Sequence, residues 1–429
     1  MLDVCTLALD LGTTAFKAAP VDRSGVRGRV TVVPYTLCYG QAGSVTCDPE
    51  QYAQWAFKAL RGAARTAREL GLAVDAIGLS SQAQTYIPLD EVGQPVQPAV
   101  VWTDARTVPE AEAAACALPD FAKTCGLMRP SPLQFLPKVM RFQREGGNAC
   151  RFLLLNEWII YRLTGELYGD ATNQGMSGFY DITAQDWNKR ALALAGITAD
   201  NLVRVAPAAA LSARLTQKAC RFLALPAVPV YCCGNDQSCA AIGAGLEEEG
   251  DIFCNFGTAL VIYALKSQPV EPHSDAQIAG TSPLPSHWFL LGLESECGNV
   301  IEWLAKLLYS RKSVSHMIEE ALRLPDTISL AEIAMTGGGG LDIRGLSVGI
   351  RREELARALL EYYAAQFGAL LAGVTAGKRP RRLFAGGGLS RSAPWLEFLE
   401  RKYGFPLIQT AGEHPGLGGV AKIVRNHQC

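Results

Sequence analysis

An α/β fold of two related domains facing each other across a cleft is the expectation from this sequence, and three observations carry it. Apolar strands alternate with amphipathic helices along the 429 residues. The pattern of residues 7–22, an apolar strand, Asp10, a bulky apolar residue, Gly-Thr and a second apolar strand, returns in residues 252–265 with Asn255 in place of Asp10 and Thr258 matching Thr13. Finally, Pro226-Ala-Val-Pro229 breaks the chain before the apolar strand VYCC, which sets an expected boundary near residue 228 between an N-terminal domain over 1–228 and a C-terminal domain over 229–429.

The elements follow in order. LALDLGTTAFKAAPVD alternates apolar positions around Gly12, as a strand, tight turn and strand do. Asp48-Pro49 then opens a helix that carries Tyr52, Trp55, Ala59, Leu60, Ala63 and Ala67 at helical spacing. AIGLSSQ (76–82) reads as a buried strand, and the stretch from Leu79 to Thr107 runs strand, polar turn, strand, Gly-Pro turn, strand. NEWIIYRLTG (156–165) reads as a helix closing on Gly165. In the second half, RRLFAGGGLS (381–390) is the counterpart of the strand at 76–82, and three glycines lead from it into a helix with Trp395, Leu396, Phe398 and Leu399 on its apolar face.

Composition excludes several functions. Lys+Arg number 40 against 41 Asp+Glu, for a formal net charge of -1, which disfavours a basic nucleic-acid surface and an acidic disordered chain alike. No run approaches the ~20 apolar residues of a membrane span; the longest candidate, residues 252–265, holds Asn255 and Gly257. The N-terminus has no basic leader, and Asp10 interrupts its apolar run. Thirteen cysteines include no CxxC and five histidines no HxxxH, so a reduced, cytoplasmic protein without a zinc site is expected.

Four segments bear on chemistry. Turns with Gly12-Thr13 and Gly257-Thr258 are either plain hairpins or, as a facing pair, clamps that aim backbone N–H groups and hydroxyls at a polyphosphate. Asp10 beside the first turn suits a hard cation such as Mg2+. GNDQSCAAIGAG (234–245) places Asp236 at a helix start, as a cap or as a carboxylate able to take a hydroxyl proton during phosphoryl transfer. Trp102, Asp104 and Arg106, with Gln82 and Gln84, offer an aromatic face and amide or charged groups to a polyhydroxylated ligand; the alternative is a surface ion pair beside a core Trp. A complete GxxxxGK[ST] is absent, which argues against a P-loop ATPase.

In this order, LALDLGTTAFKA, LSSQAQT with VVWTDART, QFLPK, EWIIYRLTG through DITAQDW, GNDQSCAAIGAG, NFGTA and AGGGLSRSAPW resemble the motifs of the FGGY carbohydrate kinases, within the actin-like ATPase superfamily. The resemblance implies two ribonuclease-H-like domains, the first for sugar and the second for nucleotide, with ATP and Mg2+ as cofactors. It implies Asp236 as general base, Asp10 holding Mg2+, and Gly12, Thr13, Thr14, Lys17, Gly257 and Thr258 around the ATP phosphates. Gly386, Gly387 and Gly388 would lie along the adenosine, and Gln82, Gln84, Trp102, Asp104, Arg106 and Asp236 would contact or frame the sugar. Where xylulokinases carry Met-His-Gly and glycerol kinases Arg-Glu-Thr, this chain has Ala83-Gln84-Thr85; the loss of charge leads us to expect an uncharged ketose such as xylulose, or a polyol, with Gln84 pairing its hydroxyls. Glycerol is the alternative substrate. A sugar- and nucleotide-binding sensor is the alternative function, suggested by the short segment 303–349 with its GGGGLDIRGLSVG. Expected partners are the small sugar or polyol and a second copy in a homodimer, with no nucleic acid and no membrane.

Overall fold

The computed structural model describes residues 3–309, 313–325, 331–336 and 340–428. The chain folds as two compact units, one of residues 1–243, 266–290 and 414–429, the other of 244–265 and 291–413. The expected boundary near 228 is therefore displaced to Gly243. The strand after Pro226-Ala-Val-Pro229 does not open a new unit, because its backbone pairs into the first unit's sheet.

That sheet has β1 (Val4–Leu11) at its centre. It pairs antiparallel with β2 (Ala15–Asp22) and parallel with β3 (Ala73–Ser81), which in turn runs parallel to β4 (Pro229–Asn235). Both faces of β1 are apolar because both are covered. Helix α1 (Pro49–Glu69) packs Tyr52, Leu60 and Ala63 against Leu7, Leu9 and Leu11 in one core. It starts as expected, with Asp48 Oδ1 accepting from Glu50 N at 2.9 Å and Pro in the first turn. On the other face the C-terminal helix Pro415–Gln428 lies so close that a Cβ on Gly78 would sit 2.6 Å from Val420. The helix Leu155–Thr164 ends on Gly165, whose φ of 80° no β-carbon opposes.

In the second unit, β5 (Asp251–Phe256) pairs antiparallel with β6 (Leu260–Lys266) and parallel with β7 (Arg382–Gly386). This repeats the β2-β1-β3 arrangement and bears out the duplication. Asp10 stands opposite Lys17 and Ser80, and Asn255 opposite Val261 and Gly386. The turns differ by one residue, since 12–15 separates the last pair of the first hairpin and 257–259 that of the second. Helix α3 (Ala393–Tyr403) buries Trp395, Leu396, Phe398 and Leu399, as its spacing predicts. Among the described residues, no helix is long and apolar enough to cross a membrane. Of the glycine run that opens GGGGLDIRGLSVG, residues 337–339 lie outside the described residues.

Candidate active site

In the first unit the parallel strands β1, β3 and β4 end together, and their ends carry the chemistry. Ser80 Oγ donates to Asp10 Oδ1 at 3.0 Å across the β1–β3 ladder. Burial raises the pKa of Asp10, and Ser80, Lys17 and His414 pull against that rise. Gln82 N donates to Leu11 O at 2.9 Å, closing β3 onto the start of the first turn. That turn is braced from behind. Tyr35 Oη donates to Gly12 O at 2.6 Å, and the Tyr35 ring stacks on Trp55 at 4.8 Å. Gly12 and Thr13 are partly exposed, Thr14 is exposed, and Lys17 lies half-buried on β2.

Asp236 opens helix α2 (Asp236–Ala244) directly after β4. Capping falls to its neighbour, as Asn235 Oδ1 accepts from Ser238 N at 2.8 Å. Asp236 Oδ1 accepts from Gln237 N at 2.8 Å. Burial, and after it the negative charge of Asp10, push the Asp236 carboxyl up to about 7. Among the described residues no three His, Cys, Asp or Glu side chains gather as a protein-only metal site. Two neighbouring carboxylates that both resist ionisation nevertheless fit a divalent cation that draws its other ligands from phosphate and water, as Mg2+ does.

The segment expected to face a sugar divides in three. Gln82 is buried, with its Nε2 on Tyr35 Oη at 3.4 Å and its Oε1 without a partner among the described residues. Trp102 is half-buried, and its indole Nε1 donates to Thr13 Oγ1 at 3.2 Å. The remaining side chains are committed elsewhere. Gln84, at φ 69°, accepts from Phe135 N at 2.9 Å through Oε1 and donates to Met176 O through Nε2. Its amide pairs with backbone, which corrects the expectation that it pairs with sugar hydroxyls. Asp104 is 1% exposed and accepts from Val45 N at 2.9 Å, from Arg106 N at 3.2 Å and from the Arg106 guanidinium, whose Nη2 lies 2.7 Å away. The bonds from Arg106 and Val45 outweigh burial and hold Asp104 below the usual carboxylate range. The pair clamps the Trp102 loop, with Asp104 buried and Arg106 a quarter exposed.

Sequence reading missed Lys138 as the brace of this region. Its buried Nζ donates to the carbonyls of Val101 and Leu133 at 2.9 Å, Trp102 at 3.1 Å and Gln84 at 3.4 Å. Burial pushes it down to about 7, and the negative charge of Asp104 pulls against that fall. Tyr35, Ser80 and Met176 also escaped notice, because nothing in their local sequence marks them. Only the β1–β3 register of the folded sheet sets Ser80 opposite Asp10.

In the second unit the Gly257-Thr258 turn is gripped by backbone. Cys297 N donates to Thr258 O at 2.8 Å and Gly298 N to Gly257 O at 3.0 Å. A Cβ on Gly298 would lie 2.4 Å from Gly257 O, so only glycine permits this approach. The run Gly386-Gly387-Gly388 leaves β7 beside the end of β5. Gly387 has φ 86°, and a Cβ there would meet the Phe256 carbonyl at 2.5 Å; at Gly386 it would meet the Phe253 ring at 2.7 Å. Gly388 faces open space. Exposed backbone at Gly387 and Gly388 can receive a flat ligand without side-chain obstruction.

Comparison with known proteins agrees with this layout. Residues 5–243 match the N-terminal domain of the FGGY family of carbohydrate kinases. The chain is 24% identical to the xylulose kinase of Escherichia coli (strain K12), with 98% of this chain and 90% of that protein covered. It is 28% identical to the glycerol kinase of Rhodospirillum centenum, with 92% and 84% covered. The structure of a ligand-bound xylulose kinase from Lactobacillus acidophilus superposes with a TM-score of 0.89 at 20% identity, over 99% of this chain and 89% of that one. With its family's N-terminal domain matched over more than half of its length and the duplicated hairpin fold complete in both units, the chain belongs to the FGGY family of carbohydrate kinases.

Proposed function

We propose that this kinase transfers the γ-phosphoryl group of ATP to a hydroxyl of a small neutral ketose or polyol, with Asp236 as the general base. One observation carries the assignment. Asp236 is relieved of capping by Asn235, stands beside Asp10, and is held near 7, where a carboxylate is ionised in useful amount and basic enough to accept a hydroxyl proton. The unpaired Gln82 Oε1 is positioned to accept from a second sugar hydroxyl, and the Trp102 ring offers an apolar face. Gly12, Thr13, Thr14, Lys17, Gly257 and Thr258 are assigned to the phosphates by the likeness of their turns to the family's phosphate motifs. Gly386, Gly387 and Gly388 are assigned to the adenosine. Mg2+, when bound to the ATP phosphates, neutralises their charge, and Asp10 is the residue to hold it.

The xylulose and glycerol kinases among the similar proteins support a sugar or polyol acceptor, and the uncharged Ala83-Gln84 pair is the reason for preferring a neutral one. The persistence of Trp102 favours a ketose. Purified protein should release ADP on addition of one member of a panel of pentuloses, hexuloses, heptuloses and polyols. Asp236→Ala and Asp236→Asn should each lose at least about 100-fold of that rate while melting as cooperatively as the parent. Undiminished turnover by Asp236→Ala would overturn the assignment of the base.

A further inference from the structure

From Tyr168 to Tyr180 every residue is buried except one, Met176, which is partly exposed. That exception is held at both ends. Its carbonyl oxygen receives two side-chain amides, from Gln84 Nε2 and from Gln134 Nε2, the latter at 3.1 Å. Its thioether sulfur accepts from Asn235 Nδ2 at 3.5 Å. Each partner is itself anchored. Gln134 Oε1 accepts from Ser131 N at 2.9 Å, Gln84 Oε1 from Phe135 N at 2.9 Å, and Asn235 Oδ1 caps the helix that Asp236 opens. Gln84 moreover keeps φ 69°, a left-handed conformation unfavourable for a non-glycine residue, while its amide reaches Met176. Two amides, one of them from a residue in the left-handed region, thus fix the Met176 backbone, and a third meets its sulfur, which sets the side chain against Asn235, the residue before Asp236.

We propose that Met176 is a specificity-determining residue of the acceptor site, and that Gln84 and Gln134 are the positioning residues that aim it. The inference rests on the kinase reading above and names what it selects. A thioether offers no hydrogen bond of consequence to a carboxylate or phosphate, and burying an ionised group against it is costly. Held against Asn235, the residue before Asp236, it presents a soft apolar wall that suits the C–H face of a neutral sugar, while the unpartnered Gln82 Oε1 is left as an acceptor for hydroxyls. Aldonates and sugar phosphates are thereby refused. The Ala83-Gln84 sequence thus acts on selectivity indirectly. Ala83 offers a ligand only a methyl group, and Gln84 works through the carbonyl of Met176.

The test compares D-xylulose, glycerol, sedoheptulose and D-gluconate as acceptors for the parent, Met176→Leu, Met176→Ala and Met176→Lys. Met176→Leu should keep the parent's order of kcat/KM. Met176→Lys should move the gluconate-to-xylulose ratio of kcat/KM by at least about tenfold towards gluconate, and Met176→Ala should improve the ratio for the longer sedoheptulose. Gln84→Ala should shift the same ratios in the direction of Met176→Ala, an effect that a purely structural loss would not produce. Melting temperatures of the five proteins, recorded with and without each sugar, give a second readout that needs no turnover. If sugars bind with altered selectivity in the variants but none is phosphorylated, the kinase reading fails and this inference stands. If the acceptor ratios are the same in Met176→Lys and Met176→Ala as in the parent, or if no sugar of the panel is bound or turned over, the inference is overturned.

Discussion

The indole Nε1 of Trp102 and Thr13 Oγ1 share a hydrogen bond of 3.2 Å. A ring assigned to the acceptor and a turn assigned to the phosphates are thus one unit of structure, tied further by Lys138, which holds the Trp102 carbonyl from behind. Trp102→Phe keeps a ring and removes the donor, and Thr13→Val keeps the shape and removes the acceptor. Each should raise KM for ATP by about threefold to tenfold, the worth of one neutral hydrogen bond, and the double variant should add little to either. Steady-state kinetics on the four proteins of this cycle check it, and strictly additive effects would separate ring from turn.

The position of Asp236 near 7 has two consequences of opposite sign. As the base it must be ionised, so kcat/KM for the acceptor should rise with pH through about 7 and level off above. For stability, the folded chain holds this proton more tightly than the unfolded chain does. The stabilisation is complete at low pH and is lost as pH rises from about 4 through about 7. Asp236→Asn is neutral throughout, so its melting temperature should gain on the parent's between pH of about 5 and 8. A pH-independent rate, or a constant difference in melting temperature, would contradict the geometry.

Because both ends of the Gln84 amide bond to backbone, Gln84→Ala should cost about 1–3 kcal/mol of stability in denaturant unfolding, the range for leaving buried partners unpaired. Gln84→Gly loses the same bonds but relieves φ 69°, and should be the more stable of the two by about 1 kcal/mol. That order reverses the usual ranking of alanine and glycine.

Glu157 is wholly buried, and burial pushes it up to about 8. It accepts from Leu154 N at 2.8 Å and from Gln174 Nε2 at 2.7 Å, while Gln174 Oε1 has no partner among the described residues. Glu157→Gln should therefore fold, since the Gln174 amide can turn to receive the new N–H. The parent's stabilisation by neutral Glu157 is lost as pH rises from about 4.5 through about 8. The variant should lack that share of the decline, as melting curves across this range would show.

Much of this fold was readable in advance because its signals are local. The start of α1 at Asp48-Pro49, the close at Gly165 and the Gly-Thr turns depend on residues within a few positions of each other. The duplication was readable because the same local pattern occurs twice. The domain boundary was misplaced because Pro226 and Pro229 interrupt the chain without saying which sheet the next strand will join; β4 returns to pair with β3, more than 140 residues earlier in the chain.

The side chains of the acceptor segment show the same division. By itself the sequence determined that polar and aromatic groups gather around Gln82, Gln84, Trp102, Asp104 and Arg106, that Asp10 lies near the end of an apolar strand and that Asp236 follows one. Only the tertiary structure decided which of those groups have capacity left for a ligand. Val45 N and Phe135 N are buried donors brought in from 59 and 51 residues away, and each needs an acceptor once water is excluded. Asp104 and Gln84 supply them, and their chemistry is spent there. Gln82 meets no such donor at its Oε1, and so it is the amide that keeps an acceptor in reserve.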